Sequence, residues 1–236
     1  MPLRVGFDMD GVLADFAAAY QKVERELFGE SDATTPNAPE EDPSSSDERD
    51  AAPASDLRDS HRRRRAVWDR IRATPNFWTT LNATEPGAVR HLHAMMTRHQ
   101  WEVVFITQRP ATAGETVQRQ TQRWLAQQGF EMPSVLVIAG SRGAAIHSLR
   151  LTHHVDDSPQ NCVDVKSDSS ALPILIVKES GHPTARQARK LGMGVAASLQ
   201  ECFQILESAS GRAAESSVLR RLSALINWTD DQRAIR

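Results

Sequence analysis

The stretch at residues 3–13, Leu-Arg-Val-Gly-Phe-Asp-Met-Asp-Gly-Val-Leu, constrains this chain more than any other. Leu3, Val5 and Phe7 alternate as in a β-strand, and the strand runs out at Asp8. A second carboxylate, Asp10, follows two residues on, and Gly11 then lets the chain turn into a helix. In a continuing strand the two carboxylates would share a face; at a strand end the chain bends, and Asp10 leans back over the site. Two carboxylates held so close repel each other unless a cation sits with them. Mg²⁺ takes oxygen ligands and favours sites shared with phosphate, so the pair points to a Mg²⁺ site. In that reading one Asp is a nucleophile and the other a proton donor. The competing reading is an acidic turn after an edge strand, and a bare Asp-x-Asp pair by itself favours it.

The 236 residues fit one large domain, or one domain with a small insertion. A net charge of −2 argues against a nucleic-acid or membrane-surface partner. The two cysteines, Cys162 and Cys202, make no disulfide framework, so a reducing, cytoplasmic compartment is expected. The start, Met-Pro-Leu-Arg, leads straight into a strand without the apolar core of a signal peptide, and no run of about 18 apolar residues exists to span a membrane. Composition sets no oligomeric state, and a homodimer stays open.

Along the chain, apolar runs alternate with helical periodicity. Residues 14–28 read as a helix with Phe16, Tyr20, Val23 and Leu27 on one face. Residues 30–60 differ in kind, being rich in Pro, Ser, Ala and acids, with a net charge of −8 from Glu30 to Asp59. Such a segment buries too little apolar area to offset its ordering entropy, so it reads as a disordered insertion. His61 and the run Arg62–Arg65 open a helix through Trp68 and Ile71; the Arg run reads as a solvated face rather than a nucleic-acid site. Pro86-Gly87 opens another helix, with Val89, Leu92, Met95 and Met96 as its buried stripe. Strands follow at 101–107, 135–138, 152–155, 174–177 and 194–196, with helices at 115–128, at 143–148 and after the cap Ser198. A last amphipathic helix or tail is expected over 213–235. This alternation predicts an α/β fold, a Rossmann-like, mostly parallel sheet with helices on both faces.

In such folds ligands bind beyond the carboxyl ends of the strands. Polar residues gather there: Asp8-Met9-Asp10 after the first strand, Thr107-Gln108-Arg109 after the second and Asp156-Asp157-Ser158 after the fourth, with Arg142 on the loop after the third. In that order, this constellation resembles the haloacid dehalogenase-like (HAD) hydrolase superfamily. Asp8-Met9-Asp10-Gly11-Val12 looks like its first motif, Ile106-Thr107 like the second and Val155-Asp156-Asp157 like the fourth. Arg142 stands where the third carries a Lys. A closer resemblance is to the 5'(3')-deoxyribonucleotidases, the cytosolic type C 5'-nucleotidases. It rests on Asp-Met-Asp-Gly-Val-Leu-Ala-Asp-Phe at 8–16, on Asn76-Phe77-Trp78 followed by Glu85-Pro86-Gly87-Ala88-Val89, and on the spacing from Arg142 to Asp157.

The resemblance implies a phosphomonoesterase acting on a small phosphorylated substrate, (deoxy)nucleoside monophosphates in the closer family, with Mg²⁺ as cofactor. Asp8 would be the nucleophile, Asp10 the general acid and base, and Thr107 and Arg142 the phosphate-binding groups. Asp8, Asp156, Asp157 and the backbone carbonyl of Asp10 would hold the metal. It also implies a core of 1–13 and 84–210, a small helical cap over 14–83 that contains the 30–60 insertion, and a tail over 211–236. Two departures stand out. Arg is planar and bidentate where Lys is a point charge, so Arg142 opens the alternative of a catalytically weak protein that binds a phosphorylated ligand. Arg109 or Arg150 are poorly spaced substitutes for the missing Lys. The insertion occupies sequence that in the nucleotidases builds the base-holding cap; Trp68, Phe77 and Trp78 are candidates for a pocket wall, with packing in the cap core as their favoured role. A HAD phosphatase for another small phosphate ester is the remaining alternative. His153-His154 read as strand residues before metal ligands, and Lys178 as a surface residue.

Overall fold

The computed structural model describes residues 2–29, 54–179 and 181–211. Its strands are β1 Arg4–Asp8, β2 Glu102–Thr107, β3 Ser134–Val137, β4 His153–Asp156, β5 Leu172–Ile176 and β6 Gly194–Ala196. They form a six-stranded sheet in the order β3-β2-β1-β4-β5-β6. The pairs β2–β3, β4–β5 and β5–β6 are parallel, with Thr107 opposite Val137 and Asp156 opposite Leu175. This is the mostly parallel α/β sheet expected from the alternation of elements. Its strand order reverses at β1, the topological point at which such sheets present a ligand crevice.

The described residues cluster into two compact units, those within 7–93 and 104–141, and those within 2–6, 94–103 and 142–211. The first carries α1 Phe16–Phe28, α2 Ala54–Ala73, the start of α3 Ala88–His99, and α4 Val117–Gln127. Helix α1 begins two residues later than its periodicity suggests. Asp15 is its cap, accepting from the Ala18 N–H at 3.0 Å, while Ala14 bridges to Asp10 and Ala83. Gly29 ends it at φ 83°. Phe16, Tyr20 and Val23, at helical spacing, are buried. Burial, with Glu24 nearby, pushes the Tyr20 phenol up to about 12. Phe105 meets Phe7 at 6.4 Å and Phe130 at 4.8 Å, and the Trp124 indole N–H donates to the Leu81 carbonyl at 2.7 Å.

Helix α2 begins at Ala54, so it takes in the last part of the 30–60 stretch expected to be unstructured. Asp59 stands four residues ahead of Arg63, a spacing that supports a helix, and the Arg-rich turns that follow complement the acids before them. The rest of that stretch, 30–53, and the expected tail helix at 213–235 lie outside the described residues.

The second unit carries α5 Arg142–Ser148, α6 Pro159–Asp168, α7 Pro183–Lys190 and a helix over 199–211, α8. Helix α7 was not evident from periodicity because its buried positions are only Ala185 and Ala188. They pack with Cys162, Leu175, Met193 and Val195. The first strand is pinned at its start: the Glu102 N–H donates to the Leu3 carbonyl at 2.9 Å, and the Thr152 N–H to the Arg4 carbonyl at 2.8 Å. Trp101 Nε1 donates to Ser210 Oγ at 3.1 Å, and His99 Nε2 meets Glu207 at 3.0 Å, which ties down α8.

Helices α5 and α6 approach closely at Gly143, where a Cβ would run into the backbone carbonyl of Asp164. A backbone obstacle cannot rotate away, so Gly143→Ala is expected to lower stability by about 1–3 kcal/mol, read from the urea midpoint.

Candidate active site

The first unit supplies the Asp8–Asp10 turn. Asp8 closes β1 and is largely buried, and Met9 is fully buried. The Met9 carbonyl accepts from the N–H groups of Leu13 and Ala14 at 2.9 and 2.7 Å. Gly11 sits at φ 79°, which a side chain would strain, and its N–H donates to the Ala14 carbonyl. The turn is clamped from far along the chain: Thr84 Oγ1 donates to the Val12 carbonyl at 2.6 Å, and the Asp15 N–H to the Asn82 carbonyl at 2.8 Å.

Thr107, the last residue of β2, is buried, and its Oγ1 accepts from the Arg109 N–H at 3.4 Å. Arg109 forms a fork with Asp10: Nε donates to Oδ2 at 2.8 Å and Nη2 to Oδ1 at 2.7 Å. Its Nη1 donates to Thr121 Oγ1 at 3.1 Å, and its guanidinium lies 4.8 Å over the Trp78 ring. Arg109 is therefore committed to Asp10, not a substitute for the missing Lys.

Trp68, Phe77 and Trp78, candidates for a pocket wall, are each no more than 4 % exposed. Phe16 stands 5.5 Å from both Trp68 and Trp78, and Tyr20 6.2 Å from Trp68. Their place is in an aromatic core: Trp68 lies where α1 and α2 pack against each other, and Phe77 and Trp78 lie on a 3₁₀ turn, Phe77–Thr79, that packs against α4, with Trp78 meeting Phe16.

The second unit supplies Arg142, Asp156 and Asp157. Asp156 closes β4 and is fully buried. Its Oδ1 accepts from the Ser158 N–H at 2.9 Å and Asn161 Nδ2 at 3.1 Å; its Oδ2 lies 2.9 Å from His154 Nε2 and 3.5 Å from Arg142 Nε. Burial alone would push this carboxyl up. The His154 hydrogen bond and charge, the Arg142 guanidinium and the Ser158 N–H outweigh it and hold the group below the usual carboxylate range. Arg142, first in α5 and buried, thus faces the fourth-motif carboxylate. His154 is a strand residue engaged with Asp156, as the sequence favoured, and Ser158 caps α6 with Pro159 in its first turn.

Sequence reasoning missed two features. One is the Arg109 fork, whose partners are 99 positions apart. The other is the brace around Asp156. Strand alternation puts His154 on the same face as Asp156, so that signal was present.

Asp8 closes β1 in the first unit, and in the second Asp156 closes β4 with Asp157 next in the chain, so each of these strand ends offers carboxylate oxygens. An all-oxygen, anionic donor set of this kind fits a hard divalent cation such as Mg²⁺. The Asp10 carboxylate is turned to Arg109.

The model of the family "5' nucleotidase, deoxy (Pyrimidine), cytosolic type C protein" (NT5C) matches residues 2–206. A comparison with curated proteins finds no match. Among solved structures, a putative β-phosphoglucomutase from Thermotoga maritima is similar at a TM-score of 0.52 and 16 % identity, covering 87 % of this chain and 99 % of that one. A HAD family hydrolase from Deinococcus radiodurans R1, with bound phosphate and sodium, has a TM-score of 0.49 and 17 % identity, over 89 % and 97 % of the two chains. Strand-end carboxylates on a mostly parallel sheet, and a family match over nearly all the described residues, lead to one conclusion: this chain belongs to the cytosolic type C 5'-nucleotidase family and is a HAD-like phosphatase.

Proposed function

We propose that the chain is a Mg²⁺-dependent phosphomonoesterase that hydrolyses (deoxy)nucleoside monophosphates through an aspartyl-phosphate. The observation that supports the mechanism is the carboxylates at strand ends, Asp8 closing β1 with Asp10 two residues beyond it and Asp156 closing β4 with Asp157 next. An Asp8 oxygen attacks phosphorus and the ester P–O bond breaks. Protonated Asp10 gives its proton to the leaving alcohol oxygen. Water then attacks the aspartyl-phosphate, and its proton passes to Asp10, which restores both groups. Thr107 hydrogen-bonds a phosphoryl oxygen, and Arg142 adds positive charge. A bound Mg²⁺, held by Asp8, Asp157, Asp156 and the Asp10 carbonyl, would neutralise charge on the phosphoryl oxygens. Asp156 is already braced by three hydrogen bonds, so its share is to orient the set. Cytoplasmic placement suits the two buried, unbridged thiols; among the described residues no helix is long and apolar enough to cross a membrane.

The test is phosphate release over a panel of nucleoside monophosphates and sugar phosphates, with Mg²⁺ and with EDTA. Release from nucleoside monophosphates is expected with Mg²⁺, falling on the order of 100-fold or more with EDTA. Activity indifferent to EDTA would sink the metal's role. The burial of Trp68, Phe77 and Trp78 favours a second reading, in which the substrate is another small phosphate ester held without these aromatics. Turnover of sugar phosphates over nucleotides in the same panel selects it.

A further inference from the structure

We infer that Arg109 is the positioning residue of the acid–base step, holding the Asp10 carboxylate in the orientation from which it trades protons. This rests on the reading above, in which Asp10 is the acid and base.

The geometry is asymmetric. The Arg109 side chain is 1 % exposed, whereas that of Asp10 is 25 % exposed. The guanidinium thus grips the carboxylate from behind while its outer side stays open to a reactant. A carboxylate oxygen has two lone-pair directions, and the fork occupies one on each oxygen. Its planarity fixes the plane of the carboxylate, and with it the direction of the remaining lone pairs. A point charge such as a Lys ammonium would hold the carboxylate without setting its plane.

Arg109 is itself held on its other sides. Thr121 accepts from Nη1, and the Trp78 ring lies against the guanidinium. Trp78 is fixed in turn by its indole N–H on the Pro110 carbonyl at 3.0 Å and its backbone N–H on Gln120 Oε1 at 3.1 Å. A misplaced acid loses rate steeply, which gives this support a catalytic consequence. Trp78 thereby gains a role at the site without lining a pocket. In the first half-reaction the proton leaves Asp10 on an outward lone pair for the ester oxygen. In the second it returns from the attacking water to the same place.

The experiment compares kcat/KM for two esters of similar shape, phenyl phosphate and p-nitrophenyl phosphate, in wild type, Arg109→Ala, Arg109→Lys and Thr121→Val. This parameter reports steps through departure of the leaving group. Phenolate leaves with help from a proton, whereas p-nitrophenolate scarcely needs one. Arg109→Ala is expected to lose on the order of 100-fold on phenyl phosphate and no more than a few-fold on p-nitrophenyl phosphate. Arg109→Lys is expected to fall between Arg109→Ala and wild type, and Thr121→Val to lose less but in the same order. Should Arg109→Ala fail to fold by circular dichroism, the other two variants carry the comparison. Equal losses on both esters would mean a merely structural residue and overturn the inference alone. A wild type that releases phosphate with Mg²⁺ from neither these esters nor the panel above overturns the phosphatase reading and this inference together.

Discussion

Asp8→Asn is expected to abolish Mg²⁺-dependent phosphate release, by on the order of 10⁴-fold or more, while the protein stays folded. The side chain keeps its size but loses its charge, and an amide does not attack phosphorus at a useful rate. In the proposed mechanism the same change also removes one of the carboxylates that would hold the metal. Two terms thus fall together, the covalent route and the cation's hold. Phosphate release under single-turnover conditions, with Mg²⁺ raised well above its usual level, separates them. If excess Mg²⁺ restores turnover, Asp8 is a ligand and not the nucleophile. Wild-type turnover without added metal would dispose of both roles.

Asp156→Ala is expected to destabilise the fold by about 3–5 kcal/mol, the range for removing one partner of a buried charged pair. The variant leaves His154 Nε2, the Ser158 N–H and Asn161 Nδ2 without this acceptor, and Arg142 without this counter-charge. Guanidinium denaturation at pH 7 measures the loss, and less than about 1 kcal/mol would mean that water replaces the carboxylate. Asp156→Asn should recover part of it, because its amide oxygen can still accept from Ser158. The difference between wild type and Asp156→Asn also depends on pH. Burial opposes the charge on Asp156, but His154, Arg142 and Ser158 together hold its folded-state value below the unfolded one. The stabilisation is therefore whole above the unfolded carboxylate range and is lost as pH falls through the folded value.

Much of this site was legible because chemistry-bearing residues stand at strand ends. Apolar runs marked the strands, and Asp8, Thr107 and Asp156 prove to be the last residues of β1, β2 and β4. What escaped depends on tertiary direction. The order in which helices and strands alternate says nothing of where the Arg109 guanidinium points, and its partner lies 99 positions away. For Trp68, Phe77 and Trp78 the sequence favoured packing over a ligand wall, and they are buried; which way an aromatic faces is set by packing that no local pattern encodes. Helix α7 escaped for a simpler reason: alanines bury without making a hydrophobic stripe.

The pairing of the first strand also bears on biosynthesis. Leu3 and Arg4 find their backbone partners at Glu102 and Thr152, the latter 148 positions along the chain. At about 5–20 residues per second, the first strand waits roughly 7–30 s on the ribosome before its second neighbour is made. Throughout that time Leu3, Val5 and Phe7 lack the cover they have in the finished sheet. A chaperone that binds short apolar strands would meet the segment there.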